Sequence, residues 1–389
     1  MTFPKRSKSP ERITRIRTNN RKELNGLEQQ KTDILSLLPE QLEAEIKAMG
    51  APRFRAKQIY HQLHVKRVFD FSKMTELSKQ FQAQLNDRFY INMPKIEQKL
   101  ASCMDDTVKY LYRLSDGSCI ETVRMVYHHG ITACISTQVG CKMGCKFCAS
   151  APLGFIRNLT PAEMLGQIYG ADADFPEGEQ ISSVVLMGIG EPLDNYENVM
   201  QFLRLLSSKE GRNLSLRHVT LSTCGLVPRI LQLAEENLPL TLSVSLHCAD
   251  NEKRDALMPV NRRYPLDMLL DACGTYFRKT GRRVSFEYAV IAGENDSPEA
   301  ARLLGKRLRP VFPKQRPHIN LIPVNPVAGT GFHAGHAAAF RKLLEQEGIN
   351  ATVRRTLGDD IKAACGQLRR DKIEAEESVV SGIESIHGQ

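Results

Sequence analysis

Hydrophobic residues are spaced in different ways along the chain. Over residues 33–94 they recur at intervals of three and four, which predicts short amphipathic helices. Over residues 95–137 they alternate with polar residues on both sides of a turn at 115–118, which predicts a β-hairpin. The predicted helices cover 39–46, 55–63 and 79–89.

Beyond residue 137, short apolar runs alternate with helical patterns. Repeated βα units favour a parallel sheet covered by helices, so the predicted fold class is α/β. With the apolar run 131–135 the chain offers six such strands, too few for a complete eight-stranded barrel, which predicts an open, partial (β/α)6 barrel. Functional side chains are then expected where the strands end. The other predicted strands are 182–186, 218–222, 240–246, 284–291 and 318–322.

These patterns divide the chain into five predicted parts. Within the first part, the segment from Lys5 to Lys22 carries eight Lys and Arg residues against Glu11 alone, so this part is either a solubilising tail or an arm that contacts RNA. The parts are a basic disordered arm (1–32), a small helical accessory domain (33–94), a β-hairpin extension (95–130), the partial barrel with a long C-terminal loop (131–370) and a disordered tail (371–389).

Charge and composition limit the possible partners and location. A net charge of +9 favours an anionic partner. No apolar stretch approaches the ~20 residues that span a bilayer, so we expect a cytoplasmic protein without a membrane partner. Ten cysteines at irregular spacing are typical of free, metal-bound or catalytic thiols in a reducing compartment.

The strongest chemical signal is a C-x3-C-x2-C motif formed by Cys141, Cys145 and Cys148. A cubane of four irons needs four ligands, so three cysteines leave one iron open to a substrate or cofactor. Structural zinc sites normally contain two pairs of Cys or His ligands, so the motif favours an iron–sulfur cluster over zinc. In the zinc alternative the possible fourth ligands are Cys134, His128 and His129.

Further polar groups follow the predicted strands. In the G-I-G-E-P run at 188–192 the glycines would let the backbone approach a ligand, and Glu191 could accept a hydrogen bond from an ammonium group. Hydroxyl and imidazole groups at the ends of later strands are suited to bind a ribose and a carboxylate, and a side-chain amide is suited to bind the edge of an adenine. Each hydroxyl or imidazole could instead cap its own strand, and the amide could instead begin a turn. These residues are Ser222, the run Ser245, Leu246 and His247, and Asn325.

The cysteine spacing and the G-x-G-E-P run resemble the radical S-adenosylmethionine (SAM) superfamily. The resemblance implies one [4Fe-4S] cluster on the three motif cysteines, with the amino and carboxylate groups of SAM on the open iron. Reduction of that complex then yields a 5′-deoxyadenosyl radical. It also implies that Gly190 and Glu191, together with the polar strand ends, bind SAM.

A C-terminal run, G-D-D-I-K-A-A-C-G-Q-L at 358–368, makes the resemblance more specific. Together with the other motifs it resembles the RlmN-type dual-specificity RNA methyltransferases, from the accessory helices to Leu368. That family implies methylation of adenosine C2 in 23S rRNA and tRNA through a methylcysteine and a transient protein–RNA adduct. Its residue roles make Cys365 the methyl carrier, Cys134 the partner that forms a disulfide with it, and Glu121 the proton acceptor.

The resemblance further implies two SAM molecules per turnover, an external electron donor such as flavodoxin or ferredoxin, and a monomer. A related C8-adenosine methyltransferase is the nearest alternative, but Pro192 and the run 355–360 favour C2. A zinc-containing RNA-binding protein without catalysis is the alternative from another class. The remaining cysteines are predicted to be packing thiols, namely Cys103, Cys119, Cys224, Cys248 and Cys273.

Overall fold

The computed structural model describes residues 31–152, 154–176, 178–313, 316–324, 331–361 and 363. Most of the predicted basic arm, Asn325, Cys365 and the predicted tail lie outside the described residues. None of the helices in these ranges is long and apolar enough to cross a membrane.

Three helices form the accessory unit, as the spacing of apolar residues predicted. They are α1 (Pro39–Ala48), α2 (Arg53–His64) and α3 (Lys79–Arg88). The Ser78 hydroxyl caps α3 by accepting a hydrogen bond from the Phe81 amide. Two short parallel strands, β1 (Thr32–Asp33) and β2 (Phe89–Tyr90), join the two ends of the unit. The apolar faces of these helices belong to the same buried core as the barrel, so the unit is anchored to it.

An antiparallel meander leads into the main sheet. Its strands are β3 (Lys95–Ala101), β4 (Val108–Arg113) and β5 (Cys119–Tyr127), followed by β6 (Gly130–Cys134). The predicted hairpin is β4 and β5. Sequence patterns missed β3 because nearly all of its residues are exposed at the edge of the sheet. The meander therefore extends the barrel sheet by three antiparallel strands.

The parallel strands continue the same ten-stranded sheet. The chain first makes a separate antiparallel pair, β7 (Gln138–Gly140) and β8 (Phe155–Asn158). The strands that follow are β9 (Ser183–Leu186), β10 (Val219–Thr223), β11 (Thr241–Ser245), β12 (Val284–Val290), β13 (His318–Pro323) and β14 (Asn350–Val353). With β6 they make seven parallel strands among the described residues, one more than predicted. The additional strand, β14, spans only four residues with a single buried one, too short for its pattern to be recognised.

Helices cover the outer face of this sheet. The described ones are α4 (Pro161–Asp172), α5 (Tyr196–Ser207), α6 (Val227–Glu236), α7 (Asn251–Leu257), α8 (Leu266–Thr280), α9 (Pro298–Val311) and α10 (Ala337–Gln346). All except α7 were predicted. That helix was missed because its seven residues are mostly charged or polar and resemble a solvated loop.

The two faces of the parallel strands differ in polarity. Side chains such as Leu221, Leu242 and Phe286 point outward and belong to the core beneath the helices. Alternate residues point to the opposite, concave face, where the Ser243 hydroxyl donates to the Glu287 carboxylate (2.6 Å) and the Asn320 amide donates to the same group (2.8 Å). A polar concave face is what an open barrel needs to admit a polar substrate.

Leu242→Ala tests the importance of the core beneath the helices. Leu242 is fully buried in a central strand, so the substitution should lower the free energy of unfolding by about 2–5 kcal/mol. Urea unfolding should show a lower midpoint with an unchanged m-value. Leu231→Ala is the matched control, because Leu231 is 38% exposed and its loss should change stability by less than about 0.5 kcal/mol.

Candidate active site

The three motif cysteines lie in the loop that connects β7 and β8. The loop is closed at its base, where the Cys141 amide donates to the Gly154 carbonyl (3.0 Å). Gly140 has φ of 79°, and a Cβ at this position would lie 1.8 Å from the same carbonyl oxygen. Only glycine fits there. The apolar run 131–135 predicted that the loop begins directly after it, whereas the structure inserts β7 between them.

The thiols of this loop are chemically suited to a multi-iron centre. Burial and the nearby Cys148 thiol raise the pKa of Cys141 to about 12, and burial also raises the pKa of Cys145. A bound metal cation would lower these thiol pKa values again, because a thiol that coordinates a metal is deprotonated. Within the described ranges no three His, Cys, Asp or Glu side chains are grouped to hold a single metal ion. In a cubane cluster each cysteine binds a different iron, so the three thiols need not converge on one ion. Three separate thiols on one tight loop therefore fit a [4Fe-4S] cluster.

Glu191 connects the end of β9 to the end of β10. Its buried carboxylate accepts hydrogen bonds from the amides of Cys224 (2.7 Å) and Leu193 (3.1 Å). The Cys224 thiol also hydrogen-bonds to this carboxylate, which gives Cys224 a contact beyond packing. Burial raises the pKa of Glu191. The Thr223 side chain hydrogen-bonds to it as well, so four donors from the two strand ends face this carboxylate, and its predicted bond to the SAM ammonium group stays a prediction.

His247 holds the end of β11 against the cluster loop. Its Nδ1 accepts a hydrogen bond from the Ala289 amide (2.8 Å), and its ring meets the Phe147 ring edge-on at 4.7 Å. Burial lowers the pKa of His247 to about 3, so the imidazole is neutral. With Nδ1 accepting, Nε2 carries the proton and is the remaining donor. Ser222 and Ser245 lie partly exposed at neighbouring strand ends.

Arg254 is a buried residue of the site that sequence reasoning missed. It lies on α7, and its guanidinium donates to the carbonyls of Leu246 (2.9 Å), Cys224 (2.9 Å) and Ser245 (3.0 Å). These carbonyls lie at the ends of β10 and β11, so Arg254 fixes both predicted SAM-binding ends. In the sequence it looks like one charge among several on a solvated helix.

Glu121 and Cys134 lie on one face of the antiparallel part of the sheet. Val123 of β5 is opposite Cys134 on β6, and Lys109 of β4 is opposite Val123, so these residues form a row across three strands. Lys109 Nζ lies 3.0 Å from the Glu121 carboxylate, and both side chains are almost fully buried. Residues of the C-terminal loop pack on this face.

The C-terminal loop reaches the same face through Ala363. This residue packs in one apolar cluster with Val123, Met125 and Cys134. Cys365 lies outside the described residues, but Ala363 precedes it by only two positions. Ala363, the described residue nearest to Cys365, therefore lies in the same apolar cluster as Cys134.

Segment 135–138 joins the two halves of the site. The Ser136 hydroxyl donates to the Glu121 carbonyl (2.7 Å) and accepts from the Ile189 amide (3.2 Å). The Gln138 side-chain oxygen accepts from the Glu191 amide (2.9 Å). The structure thus places the motif cysteines, Glu191, the strand ends and the Glu121–Cys134 face around one continuous segment.

The comparisons with known proteins agree with this arrangement. The family described as the radical SAM superfamily matches residues 135–304. The family described as the ribosomal RNA large subunit methyltransferase N-terminal domain matches residues 32–91. The fold and the cysteine loop therefore define a radical SAM protein, a class that carries a [4Fe-4S] cluster and uses SAM.

Relatives define the family more narrowly. A probable dual-specificity RNA methyltransferase RlmN of Lachnoclostridium phytofermentans is 47% identical over 88% of this chain and 95% of its own length. Its counterpart in Alkaliphilus oremlandii is 48% identical over 89% and 99%. A crystal structure of a radical SAM methyltransferase from Sphaerobacter thermophilus has a TM-score of 0.81 at 40% identity, covering 86% of this chain and 98% of that one. The chain belongs to the RlmN family of radical SAM RNA methyltransferases.

Gly140→Ala tests the geometry of the cysteine loop. The new Cβ would collide with the Gly154 carbonyl, so the loop base should open and most of the iron should be lost. Gly144→Ala is the matched control, because it has a similar φ of 71° but its nearest neighbour would lie at 3.6 Å. Iron and sulfide content after anaerobic reconstitution measures the effect. Equal loading of the two variants would contradict the steric argument.

Lys109→Met tests the buried ion pair. It would leave the Glu121 carboxylate buried without its cation, and such changes destabilise proteins by about 3–5 kcal/mol. Adding Glu121→Gln removes the orphaned charge and should restore part of the loss. Urea unfolding of the two single variants and the double variant measures the coupling. Additive losses would mean that the two side chains do not interact.

Proposed function

We propose that this protein methylates C2 of adenosine in 23S rRNA and in tRNA, through a methylated Cys365 and a transient protein–RNA thioether. The observation that supports it most is that Ala363 shares an apolar cluster with Cys134, on the face that also carries Glu121. This proximity is what a two-cysteine mechanism requires. The relatives named above are described as dual-specificity RNA methyltransferases, in line with two RNA substrates.

The target carbon explains why these groups are needed. C2 of adenine lies between two ring nitrogens and is electron-poor, so it does not attack a sulfonium methyl as an amine would. The cluster and two SAM molecules supply a methyl group and the radical that activates it. The Cys365 sulfur carries the carbon as a methyl group, which loses one hydrogen atom to that radical and then forms a bond to C2 of the base. The adduct gives up one electron, for which the cluster would be the acceptor.

The remaining steps belong to the chain itself. The salt bridge to Lys109 fixes the position of the Glu121 carboxylate, and this group accepts the C2 proton. The Cys134 thiolate then attacks the Cys365 sulfur, so a disulfide forms and the bond from sulfur to carbon breaks; the released carbon keeps the electron pair and takes up a proton to become the methyl group. The methylated RNA leaves, and an external reductant restores both thiols. An electron donor such as flavodoxin or ferredoxin and action as a monomer complete the proposal.

The substrate adenosine must leave its stack to reach the concave face, at a cost of a few kcal/mol that is least in single-stranded loops. Direct identification uses substrate RNA deuterated at C2 or at C8, treated with reconstituted enzyme, with nucleosides analysed by mass spectrometry. We expect loss of the C2 label and a 2-methyladenosine product. Loss of the C8 label with a C8-methyl product would assign the chain to the alternative reaction.

The two cysteine roles give opposite variant phenotypes. Cys134→Ala should accumulate RNA covalently attached to the protein, because the thioether forms but is not resolved. Cys365→Ala should form no adduct, because the carbon has no carrier. Denaturing gel electrophoresis with labelled RNA separates the adduct from free RNA. Equal adduct in both variants would refute the assigned order.

A further inference from the structure

The Gly-Asp-Asp run that precedes the catalytic loop has contacts that the reaction above does not use. The Asp360 carboxylate accepts hydrogen bonds from the Ser102 hydroxyl (2.7 Å), the Cys103 amide (2.9 Å) and the Cys103 thiol (3.2 Å). The Gly358 amide donates to the Asp105 carboxylate (2.9 Å). We call these five residues the clasp. Cys103, predicted to be a packing thiol, is instead exposed and hydrogen-bonded, so that prediction was wrong.

The turn that receives the loop is ordered by its own hydrogen bonds. Ser102 Oγ accepts from the amides of Met104 (3.0 Å) and Asp105 (3.1 Å), and the Asp105 carboxylate accepts from the Thr107 amide (2.8 Å). The partners of Asp360 are thus held in place within the β3–β4 turn. Hydrogen bonds from Ser102 and Cys103 lower the pKa of Asp360, so it is a carboxylate at neutral pH.

The position of the turn in the sheet shows what the clasp joins. The sheet runs from β14 at one edge to β3 at the other. The chain leaves β14 at Val353 and reaches the turn after β3 at Asp360. Segment 354–360 therefore connects both edges of the open sheet, and the clasp fixes its far end. Hydrogen bonds between residues 258 positions apart make this a tertiary feature and not a local turn.

Gly358 turns the anchored segment back onto the site. It has φ of 63°, and a Cβ there would lie 2.7 Å from Ala363 Cβ and 2.9 Å from Thr107 Cγ2. The amides of Ile361 (3.2 Å) and Ala363 (2.9 Å) both donate to the Gly358 carbonyl. This tight turn brings Ala363 into the cluster that contains Cys134.

We infer that Asp360 is a positioning residue that anchors the C-terminal loop to the β3–β4 turn and thereby holds the segment leading to Cys365 against Cys134. The inference rests on the proposed function, because it assigns Asp360 a role in presenting Cys365. Asp360 makes no contact with substrate in this role. Its carboxylate acts through the loop.

Asp360→Ala tests the clasp, with Asp359→Ala as the matched control. Asp359 is the adjacent exposed carboxylate of equal charge and takes no part in the clasp. Hydrogen exchange of the full-length protein should be about tenfold faster at the Cys103 amide in Asp360→Ala and unchanged in Asp359→Ala. Equal exchange in the two variants would overturn the clasp. Ser102→Ala removes one donor and should give a smaller change in the same direction.

A second measurement tests positioning. Reconstituted variants receive SAM and reductant, and mass spectrometry measures methyl on Cys365 while chromatography measures 5′-deoxyadenosine. Asp360→Ala should lose about tenfold in methylated Cys365 relative to Asp359→Ala, while both retain iron and SAM cleavage. Equal methylation of Cys365 in the two variants, together with faster exchange in Asp360→Ala, would overturn the positioning role of Asp360. Absence of methyl on Cys365 in the unmodified protein would instead refute the proposed function.

Discussion

The structure depends on strand β6, which pairs antiparallel with β5 on one side and parallel with β9 on the other. Through these two pairings β6 joins the antiparallel meander to the parallel barrel. Cys134 lies at the end of this strand, with Val123 on one side and Val185 on the other. A shift of one residue in this register would turn Cys134 toward the helices and separate it from Glu121. The same strand leads into the cysteine loop, so both halves of the site take their position from one register.

Four of the buried charged side chains belong to the two halves of the site. Lys109, Glu121, Glu191 and Arg254 are all nearly inaccessible, and each is compensated by a salt bridge or by backbone hydrogen bonds. Isolated charges at such positions would be strongly unfavourable, so these contacts are requirements of the fold as well as features of the site. The same contacts therefore stabilise the folded protein and hold the side chains of the site in place. Variants that remove one partner should therefore be judged for folding before activity.

The C-terminal segment completes the site at the antiparallel end of the sheet. It begins at one edge of the sheet, crosses to the β3–β4 turn, and returns through Gly358 to Cys134. Its contacts are few and partly exposed compared with those of the strands, and such segments open at lower free energy than the core. In the proposed reaction this loop meets SAM, RNA and a resolving thiol in succession, and such a sequence of steps would benefit from that property. The anchor at Asp360 limits how far it moves.

The sequence by itself determined the α/β class, nearly all of the helices and the cysteine loop, because periodicity and ligand spacing are local properties of the chain. Motifs also selected Glu121, Cys134 and Glu191 as candidates, and their assigned roles stay predictions. The roles of Cys365 and Asn325 stay predictions as well, and both residues lie outside the described ranges. Strands β3 and β14 were missed, because strands at the two edges of the sheet are short or exposed and lack a strong pattern. Only the tertiary structure decided that Lys109 is buried against Glu121, that Arg254 binds two strand ends, and that Asp360 meets a turn far away in sequence. A lysine, an arginine and an aspartate in polar segments look solvated in any sequence, and only the elements that pack over them from distant parts of the chain change their environment.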